Sequence, residues 1–309
     1  MITVLLNPAA GVTKTGERLA RVTELFAAAG ADARIVMLPS GAHAADAARE
    51  AAAAGACAIV AGGGDGTVSA VASVVAGTNA ALGVLPLGTL NHFAKDAGIP
   101  MDLEAAVATV LAGHIKAVDT GEVNGRTFLN NASIGIYPDI VVERERLRQL
   151  GRWKWTALAI ATLRILRRYR RLVVRVAAGD GVEHARTAFV FVGNNEYQVD
   201  GLSLGARTRL DGGRLFAYLA PRVHTRELPT LLALALAGRA RERQALESIE
   251  ATALHVATPG LRRLRVALDG EVIVMRAPLQ FRVRPGALRV IAPQADDKEQ
   301  PARKSEVRS

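Results

Sequence analysis

A strand that runs directly into a glycine-dense turn constrains the fold of this chain more than any other feature. Residues 58–61 are Ala-Ile-Val-Ala, an apolar run typical of a buried strand, and four of residues 62–66 are glycine. Glycine lets the backbone approach a ligand, and the N–H groups at the start of a following helix attract phosphate. A tight turn without a ligand is the alternative, but the density of glycine favours a phosphate-binding loop.

The first third of the chain alternates strand-like and helix-like segments. Strands are predicted at residues 3–6, 34–38, 58–61 and 82–85, and helices at residues 15–29, 42–54, 68–75, 90–97 and 103–111. This rhythm predicts a parallel sheet with helices on its faces. Open sheets of this kind bind ligands at the carboxyl ends of their strands, where the glycine loop lies.

The pattern changes after about residue 119. Asn124-Gly125 and Asp269-Gly270 each separate two strand-like segments, which is a strong hairpin signal. Further strands are predicted at residues 173–176, 188–192, 215–220, 254–257, 264–268, 271–275 and 280–283, with helices near 153–169 and 226–246. We therefore predict an α/β domain over residues 1–119, a mostly antiparallel β domain over residues 120–293 and a disordered tail over residues 294–309.

Composition argues against several classes of protein. The single cysteine, Cys57, excludes an internal disulfide and argues against a cysteine-based zinc site. The apolar run at residues 231–237 is far shorter than the roughly 20 residues that span a bilayer, and the N-terminus lacks the basic region of a signal peptide. We therefore expect a cytoplasmic protein, which could also lie on the inner face of the membrane without crossing it.

The formal charge of +10 favours an anionic partner. Nearly the whole excess lies in residues 143–175, which contain eleven Arg or Lys residues and two Glu residues. Within them Arg164, Arg167, Arg168 and Arg171 are interleaved with apolar residues at helical spacing, a pattern that fits a membrane-surface helix or a helix packed on its own domain. We do not expect a nucleic-acid partner, because no recognition motif occurs and only 4% of residues are aromatic.

The glycine loop departs from two common nucleotide motifs. A dinucleotide fingerprint starting at Gly62 would need a glycine where Thr67 stands, and residues 11–18 lack the Gly-Lys of a Walker A loop. Asp65 lies within the loop, where a carboxylate would repel phosphate unless a cation lay between them. Asp65 is therefore a candidate contact for Mg²⁺ or Mg-ATP.

A second polar loop, at residues 86–91, adds a family resemblance. Its Thr89 and Asn91 could be simple helix caps, but the loop also follows a strand end. Asn7-Pro8, Gly-Gly-Asp-Gly-Thr at residues 63–67, Pro-Leu-Gly-Thr-Leu-Asn at 86–91 and Leu-Asp-Gly-Glu at 268–271 occur in this order. With these motifs the chain resembles the diacylglycerol kinase catalytic-domain family, which includes sphingosine and ceramide kinases, over about residues 1–293.

The resemblance implies an ATP- and Mg²⁺-dependent lipid kinase of phospholipid biosynthesis, with diacylglycerol or a related lipid as substrate. ATP would bind between the α/β domain and a β-sandwich domain. The implied nucleotide-binding residues are Asn7, Ser40, Gly62, Gly63, Gly64, Asp65, Gly66, Thr67, Thr89 and Asn91. The implied catalytic residues are Glu271 as general base, Asp65 and Asp119, and the implied metal ligands are Asp65 and Asp211.

Three positions depart from the family pattern. Ser69-Ala70 replaces Asn-Glu, His92 replaces an aspartate, and Gly212 replaces an acid of the accessory Mg²⁺ site. Two alternative functions remain open: a kinase of a soluble substrate, as in NAD kinases, and a non-catalytic lipid- or nucleotide-binding protein of the same fold. The lipid and the oligomeric state, with a homodimer among the possibilities, also stay open.

Overall fold

The computed structural model describes residues 1–9, 15–151, 153–168, 171–179, 181–200, 203–219 and 247–294. Within these residues an α/β domain is followed by an antiparallel β-sandwich domain, which confirms the predicted fold class. The helix predicted at residues 226–246 and the tail beyond residue 294 lie outside the described residues. None of the described helices is long and apolar enough to cross a membrane.

In the first domain the strands of a parallel sheet alternate with helices along the chain. Its elements are β1 (Ile2–Leu6), α1 (Thr15–Ala28), β2 (Ala33–Met37), a 3₁₀ turn (Gly41–His43), α2 (Ala44–Ala53), β3 (Ala58–Gly63), α3 (Asp65–Val75), β4 (Ala81–Pro86), α4 (His92–Asp96) and α5 (Leu103–Ala112). The strand order is β2-β1-β3-β4, all parallel. Every residue of β3 and β4 is buried, as expected for apolar strands covered on both faces.

The second domain contains two facing antiparallel sheets, a separate two-stranded sheet and a pair of helices. Its elements are β5 (Ile115–Val123), β6 (Arg126–Phe128), β7 (Asn131–Gly135), α6 (Ile136–Gln149), α7 (Lys154–Arg168), β8 (Leu172–Ala178), β9 (Gly181–Thr187), β10 (Phe189–Asn194), β11 (Tyr197–Asp200), β12 (Ser203–Arg207), β13 (Leu215–Leu219), β14 (Glu247–Ala251), β15 (Ala253–Ala257), β16 (Arg263–Leu268), β17 (Glu271–Arg276) and β18 (Leu279–Ile291). One sheet has the order β14-β13-β10-β7-β16-β17. The facing sheet includes β18-β15-β8-β9, with β5 and β6 beside β18.

Both predicted hairpins are present. Asn124 and Gly125 between β5 and β6 have φ angles of 46° and 80°, and Asp269 and Gly270 between β16 and β17 have 46° and 91°. A two-residue turn with positive φ at both positions matches the twist of the flanking strands, which explains the choice of Asn-Gly and Asp-Gly. The turn between β16 and β17 fixes the direction in which Glu271 leaves it.

The two domains share one ten-stranded sheet. Strand β18 pairs with β15 and β5 in the sandwich, and its end reaches β4, where Val290 pairs in parallel with Leu82. Leu288 and Val290 accordingly belong to the core of the first domain. The predicted boundary at residue 119 falls inside β5, so the chain passes between the domains within regular strands. The two domains are thus joined by strands of one continuous sheet.

The helical pair differs from the sequence prediction. The helix predicted at residues 153–169 is α7, but α6 precedes it and was not predicted. Six of the fourteen residues of α6 are charged, and its small apolar contact with α7 through Leu147, Ala157 and Ala161 gives only a weak periodic signal. The turn between the two helices leaves Leu150 and Trp153 exposed, at 69% and 67%.

Candidate active site

The carboxyl ends of three neighbouring parallel strands form the base of the site. The Asn7 backbone N–H after β1 donates to the Gly62 carbonyl at 2.8 Å, and the Asn7 side-chain amide donates to the Thr67 hydroxyl at 2.9 Å. The Leu87 N–H after β4 donates to the Gly63 carbonyl at 3.0 Å. These bonds join the three strand ends into one surface. Thr67 is buried, so it shapes this surface from below.

Close packing explains most of the glycines. A Cβ on Gly63 would lie 2.5 Å from the Thr67 hydroxyl oxygen, and one on Gly88 would collide with the Gly64 backbone. A Cβ on Gly66, in contrast, would meet no atom within 4 Å. Gly64 and Gly88 are therefore needed to bring the two loops together and Gly63 to accommodate Thr67, whereas Gly66 faces open space at the start of α3.

The N-terminus of α3 is suited to an anion. Its N-cap is Gly64, so no side chain caps the helix, and its first N–H groups can bind a phosphate. Asp65 is the first residue of α3, at the edge of the loop, and its carboxylate accepts a hydrogen bond from the Phe93 N–H at 3.2 Å. The glycine loop is thereby attached to α4.

Asn91 holds the second loop in shape. It has a left-handed backbone with φ of 50°, and its side-chain amide donates to the carbonyls of Pro86 at 3.1 Å and Gly88 at 2.9 Å. Its amide oxygen accepts from the Gly88 N–H at 3.0 Å. Asn91 therefore supports the loop, whereas Thr89 is exposed at its tip, where a ligand could reach it.

A cleft of about 250 Å³ lies between α3 and the second domain. Its walls include Gly66, Ser69 and Ala70 of α3, Arg126 and Thr127 of β6, and Asp269 and Glu271 of the β16–β17 hairpin. Glu271 is exposed as the first residue of β17. The structure thus brings the predicted base together with the start of α3, although the two are about 200 positions apart in the sequence.

Asp119, in contrast, lies in the scaffold. Its side chain is buried, and it accepts hydrogen bonds from the Gly286 N–H at 2.9 Å, the Gly213 N–H at 2.6 Å and the Asn195 amide at 3.1 Å. Both carboxylate oxygens are used by these interior donors. A catalytic role for Asp119 does not fit this geometry, because the carboxylate holds three chain segments together instead of facing the cleft.

The residues around Asp211 offer little to a metal ion. Asp211 is exposed, and its hydrogen bond from Arg209 at 3.0 Å holds the pKa of the carboxyl below its usual range. A Cβ on Gly212 would lie 2.5 Å from the Asn195 amide oxygen, so an acidic side chain there would need Asn195 to move. Among the described residues there is no group of three or more His, Cys, Asp or Glu side chains that could hold a metal.

Asp65 fits a Mg²⁺ ion that is held mainly by phosphate. Mg²⁺ in kinase sites is bound by one or two carboxylates together with substrate phosphates and waters. Asp65 supplies one carboxylate beside the phosphate-binding end of α3. Ser40 precedes Gly41, which lies against the Asn7 side chain, and the Ser40 hydroxyl contacts His43 Nδ1 at 3.0 Å. Its predicted nucleotide contact stays a prediction.

Sequence reasoning missed the roles of Asp269, Arg207 and Asp96. Asp269 was interpreted only as a turn residue, yet its carboxylate accepts hydrogen bonds from residues 138 to 200 positions away. Arg207 and Asp96 form a buried ion pair at 2.7 Å. Their partners are remote in the sequence and belong to no motif, so no local pattern could have identified them.

Comparison with known proteins places the chain in a class. The family model "Diacylglycerol kinase catalytic domain" matches residues 1–123, and the model "YegS C-terminal NAD kinase beta sandwich-like domain" matches residues 139–292. A protein named "Probable lipid kinase YegS-like" from Pseudomonas aeruginosa is 34% identical over 253 residues, which are 79% of each chain. A protein of the same name from Pseudomonas fluorescens is 31% identical over 293 residues, 92% of this chain and 93% of that protein.

A solved diacylglycerol kinase structure from Bacillus anthracis str. Sterne supports the fold. It superimposes with a TM-score of 0.68 at 20% identity and covers 95% of this chain and 97% of its own. The family models and the curated relatives define the chain as a kinase. It belongs to the diacylglycerol kinase catalytic-domain family, in which bacterial YegS-like proteins are its relatives, as the sequence motifs predicted.

Proposed function

We propose that the protein transfers the γ-phosphoryl group of ATP to the hydroxyl of a lipid, with a diacylglycerol-like lipid as the first candidate. One observation carries this proposal: a single cleft has the phosphate-binding end of α3 on one side and Glu271 on the other. Phosphoryl transfer depends mainly on positioning, charge neutralisation and a group that takes the proton of the alcohol. The cleft and the adjoining loop provide residues for positioning, for charge neutralisation and for removal of the proton.

The two sides of the cleft have different tasks. The open N–H groups of α3 bind the phosphates, with Asp65 as the residue that would hold Mg²⁺ beside them. Bound Mg²⁺ supplies positive charge against the phosphate oxygens. Glu271 accepts the proton of the lipid hydroxyl. Within the described part of the chain Glu271 forms no ion pair, so its carboxylate is available as a base.

We further propose that the α6–α7 pair contacts an anionic lipid surface and brings the cleft to its substrate. Leu150 and Trp153 are exposed at the turn between the helices. The same two helices carry the exposed arginines Arg146, Arg148 and Arg164, which pair with glutamates of α6. An apolar turn on an arginine-rich helical pair is suited to the interface between headgroups and acyl chains.

The membrane proposal predicts a loss of liposome binding when arginines are removed from α7. Each Arg near the surface adds about 1 kcal/mol of attraction, so changing Arg164, Arg167 and Arg168 to Gln should weaken binding to anionic liposomes by up to about 100-fold. Arg171 is left in place because it donates to the Arg186 carbonyl. Sedimentation with liposomes at several salt concentrations measures the effect.

The matched control changes three exposed arginines outside the helical pair, Arg263, Arg276 and Arg289, to Gln. It alters the net charge equally and should weaken binding much less. Equal losses in the two triple variants would mean that binding follows net charge alone, and the helical pair would have no special role.

Incubation of the purified protein with labelled ATP and a total lipid extract tests the function itself. We expect label in a lipid phosphate, and pure diacylglycerol then tests the first candidate. Label only in a water-soluble product would indicate a kinase of a soluble substrate. ATP binding without transfer to any acceptor would indicate a non-catalytic protein.

A further inference from the structure

The Asp269 carboxylate, two residues before Glu271, gathers donors from two distant parts of the chain. It accepts hydrogen bonds from the backbone N–H groups of residues 129, 130 and 131, with N···O distances of 2.8, 2.8 and 3.1 Å. It also accepts the hydroxyl of Ser69 on α3. Hydrogen bonds to an ionised carboxylate are about twice as strong as neutral ones. The turn that leads to Glu271 is therefore fixed to two neighbours.

Residues 129–131, which we call the anchor segment, are held from the other side by Arg207. The Arg207 side chain is fully buried and donates to the Leu129 carbonyl and to the Asn130 side-chain oxygen, both at 2.7 Å. Its Nε pairs with Asp96 at 2.7 Å. An ion pair buried with its remaining N–H groups satisfied is costly to break, so the anchor segment is a rigid support.

These contacts form a closed ring, of which Ser69 and Asp269 line the cleft. Asp96 ends α4, and the Phe93 N–H of the same helix donates to Asp65 at 3.2 Å. Asp65 begins α3, and Ser69 lies one turn further along it and donates to Asp269. The glycine loop, α4, Arg207, the anchor segment and the β16–β17 hairpin are thus connected in a circle that returns to α3.

We propose that Asp269 and Ser69 are positioning residues, which hold Glu271 at the distance from α3 that phosphoryl transfer requires. This inference rests on the proposed role of Glu271 as general base. The bond from Ser69 to Asp269 is a direct link between the phosphate-binding helix and the hairpin of the base. A misplacement of reacting groups by about 1 Å can cost about 100-fold in rate, so even a slight loosening of the hairpin lowers turnover.

Substitution of Ser69 tests the positioning of the hairpin without disturbing its folding. Without its hydroxyl, Asp269 keeps its three backbone hydrogen bonds, so the hairpin remains folded on the anchor segment. Only the connection to α3 is lost. We therefore expect Ser69→Ala to lower kcat by about 10-fold, with the KM for ATP and the melting temperature nearly unchanged. Ser69→Thr retains the hydroxyl and should restore most of the turnover.

Thr23→Val is the control. Thr23 is exposed on α1, outside the cleft, and its hydroxyl donates to the Leu19 carbonyl of the same helix at 2.8 Å. The change removes one helical hydroxyl but no connection to the hairpin, so turnover should stay near that of the wild type. If Ser69→Ala is as active as Thr23→Val, the positioning role is wrong.

A double-mutant cycle with Asp269→Asn tests whether Ser69 acts through Asp269. Residues that work through one contact give non-additive effects, so the double variant should be little worse than Asp269→Asn alone. Independent, multiplying losses, with a raised KM for the lipid, would mean that Ser69 contacts the substrate directly and would overturn the inference. If Asp269→Asn does not fold, the comparison of Ser69→Ala, Ser69→Thr and the Thr23→Val control still decides whether Ser69 positions the hairpin.

The Glu271→Gln variant shows whether the positioning role fails by itself or together with the proposed mechanism. If Glu271→Gln is impaired while Ser69→Ala is normal, only the positioning role fails. If Glu271→Gln is as active as the wild type, Glu271 is not the base, and both the proposed mechanism and this inference fail. If both residues act in one step, Ser69→Ala should cause no further loss in the Glu271→Gln background.

Discussion

The two sides of the cleft are built in different ways. On the nucleotide side, Asn91 holds its loop through Pro86 and Gly88, no more than five positions away. On the hairpin side, Asp269 depends on donors 138 to 200 positions away. The loops of the nucleotide side are joined over shorter stretches of chain, such as the 60 positions from Asn7 to Thr67, whereas the hairpin is placed by segments up to 200 positions away. The two sides should therefore respond differently to substitution.

The largest expected effect separates turnover from nucleotide binding. Glu271→Gln should lower kcat by about 10²–10⁴-fold, the usual range for the loss of a general base. ATP affinity and stability should hardly change, because the proposed phosphate site lies at the opposite wall. Lipid-kinase turnover and ATP titration on one preparation measure both, with the exposed Glu183→Gln as a control of equal charge change.

If Glu271→Gln lost ATP binding together with activity, the assignment of ATP and the base to opposite sides of the cleft would be wrong. Glu271 would then be a nucleotide or metal contact. Turnover within a few-fold of the wild type would remove it from the mechanism.

Asp65→Asn tests the nucleotide side. Asparagine keeps an oxygen that can accept from the Phe93 N–H, so the fold should persist, but the charge that would hold Mg²⁺ is gone. We expect activity to fall by about 100-fold, similar to the loss of one strong electrostatic contact at a reaction centre. The Mg²⁺ concentration needed for half-maximal activity should rise, which Glu271→Gln should not cause. Wild-type turnover at saturating Mg-ATP would show that Asp65 serves only the turn.

Two glycine substitutions on the nucleotide side should differ in their effect on stability, although each adds only one methyl group. Gly88→Ala places a methyl group against the Gly64 backbone and should destabilise the protein by about 1–3 kcal/mol. Gly66→Ala meets open space and lies in the first turn of α3, so it should leave stability unchanged or raise it by up to about 1 kcal/mol. Thermal unfolding measures this difference.

ATP binding completes the test of Gly66. A methyl group at this position enters the space where phosphate would lie, so Gly66→Ala should weaken ATP binding although the protein is no less stable. Undiminished ATP affinity would place the phosphates elsewhere in the cleft.

Much of the first domain follows from the sequence alone. Its apolar strands, helical periodicity and glycine loop are local patterns. The parallel direction of β1, β3 and β4 follows from their alternation with helices. The two hairpins were also predictable, because Asn-Gly and Asp-Gly satisfy a positive φ at both turn positions. The family motifs then indicated the nucleotide loops and Glu271, because each motif is contained in a few consecutive residues.

Only the tertiary structure decided which residues surround Glu271 and which acids face the cleft. Asp119 and Asp269 look alike in the sequence, each an aspartate before a polar or glycine residue, and both join distant segments, yet only Asp269 does so at the wall of the cleft. The Arg207–Asp96 pair and the return of β18 to β4 likewise depend on partners more than a hundred positions away. Propensity and periodicity act over one or two turns of chain, so pairings at this range are set by the packing of the whole fold.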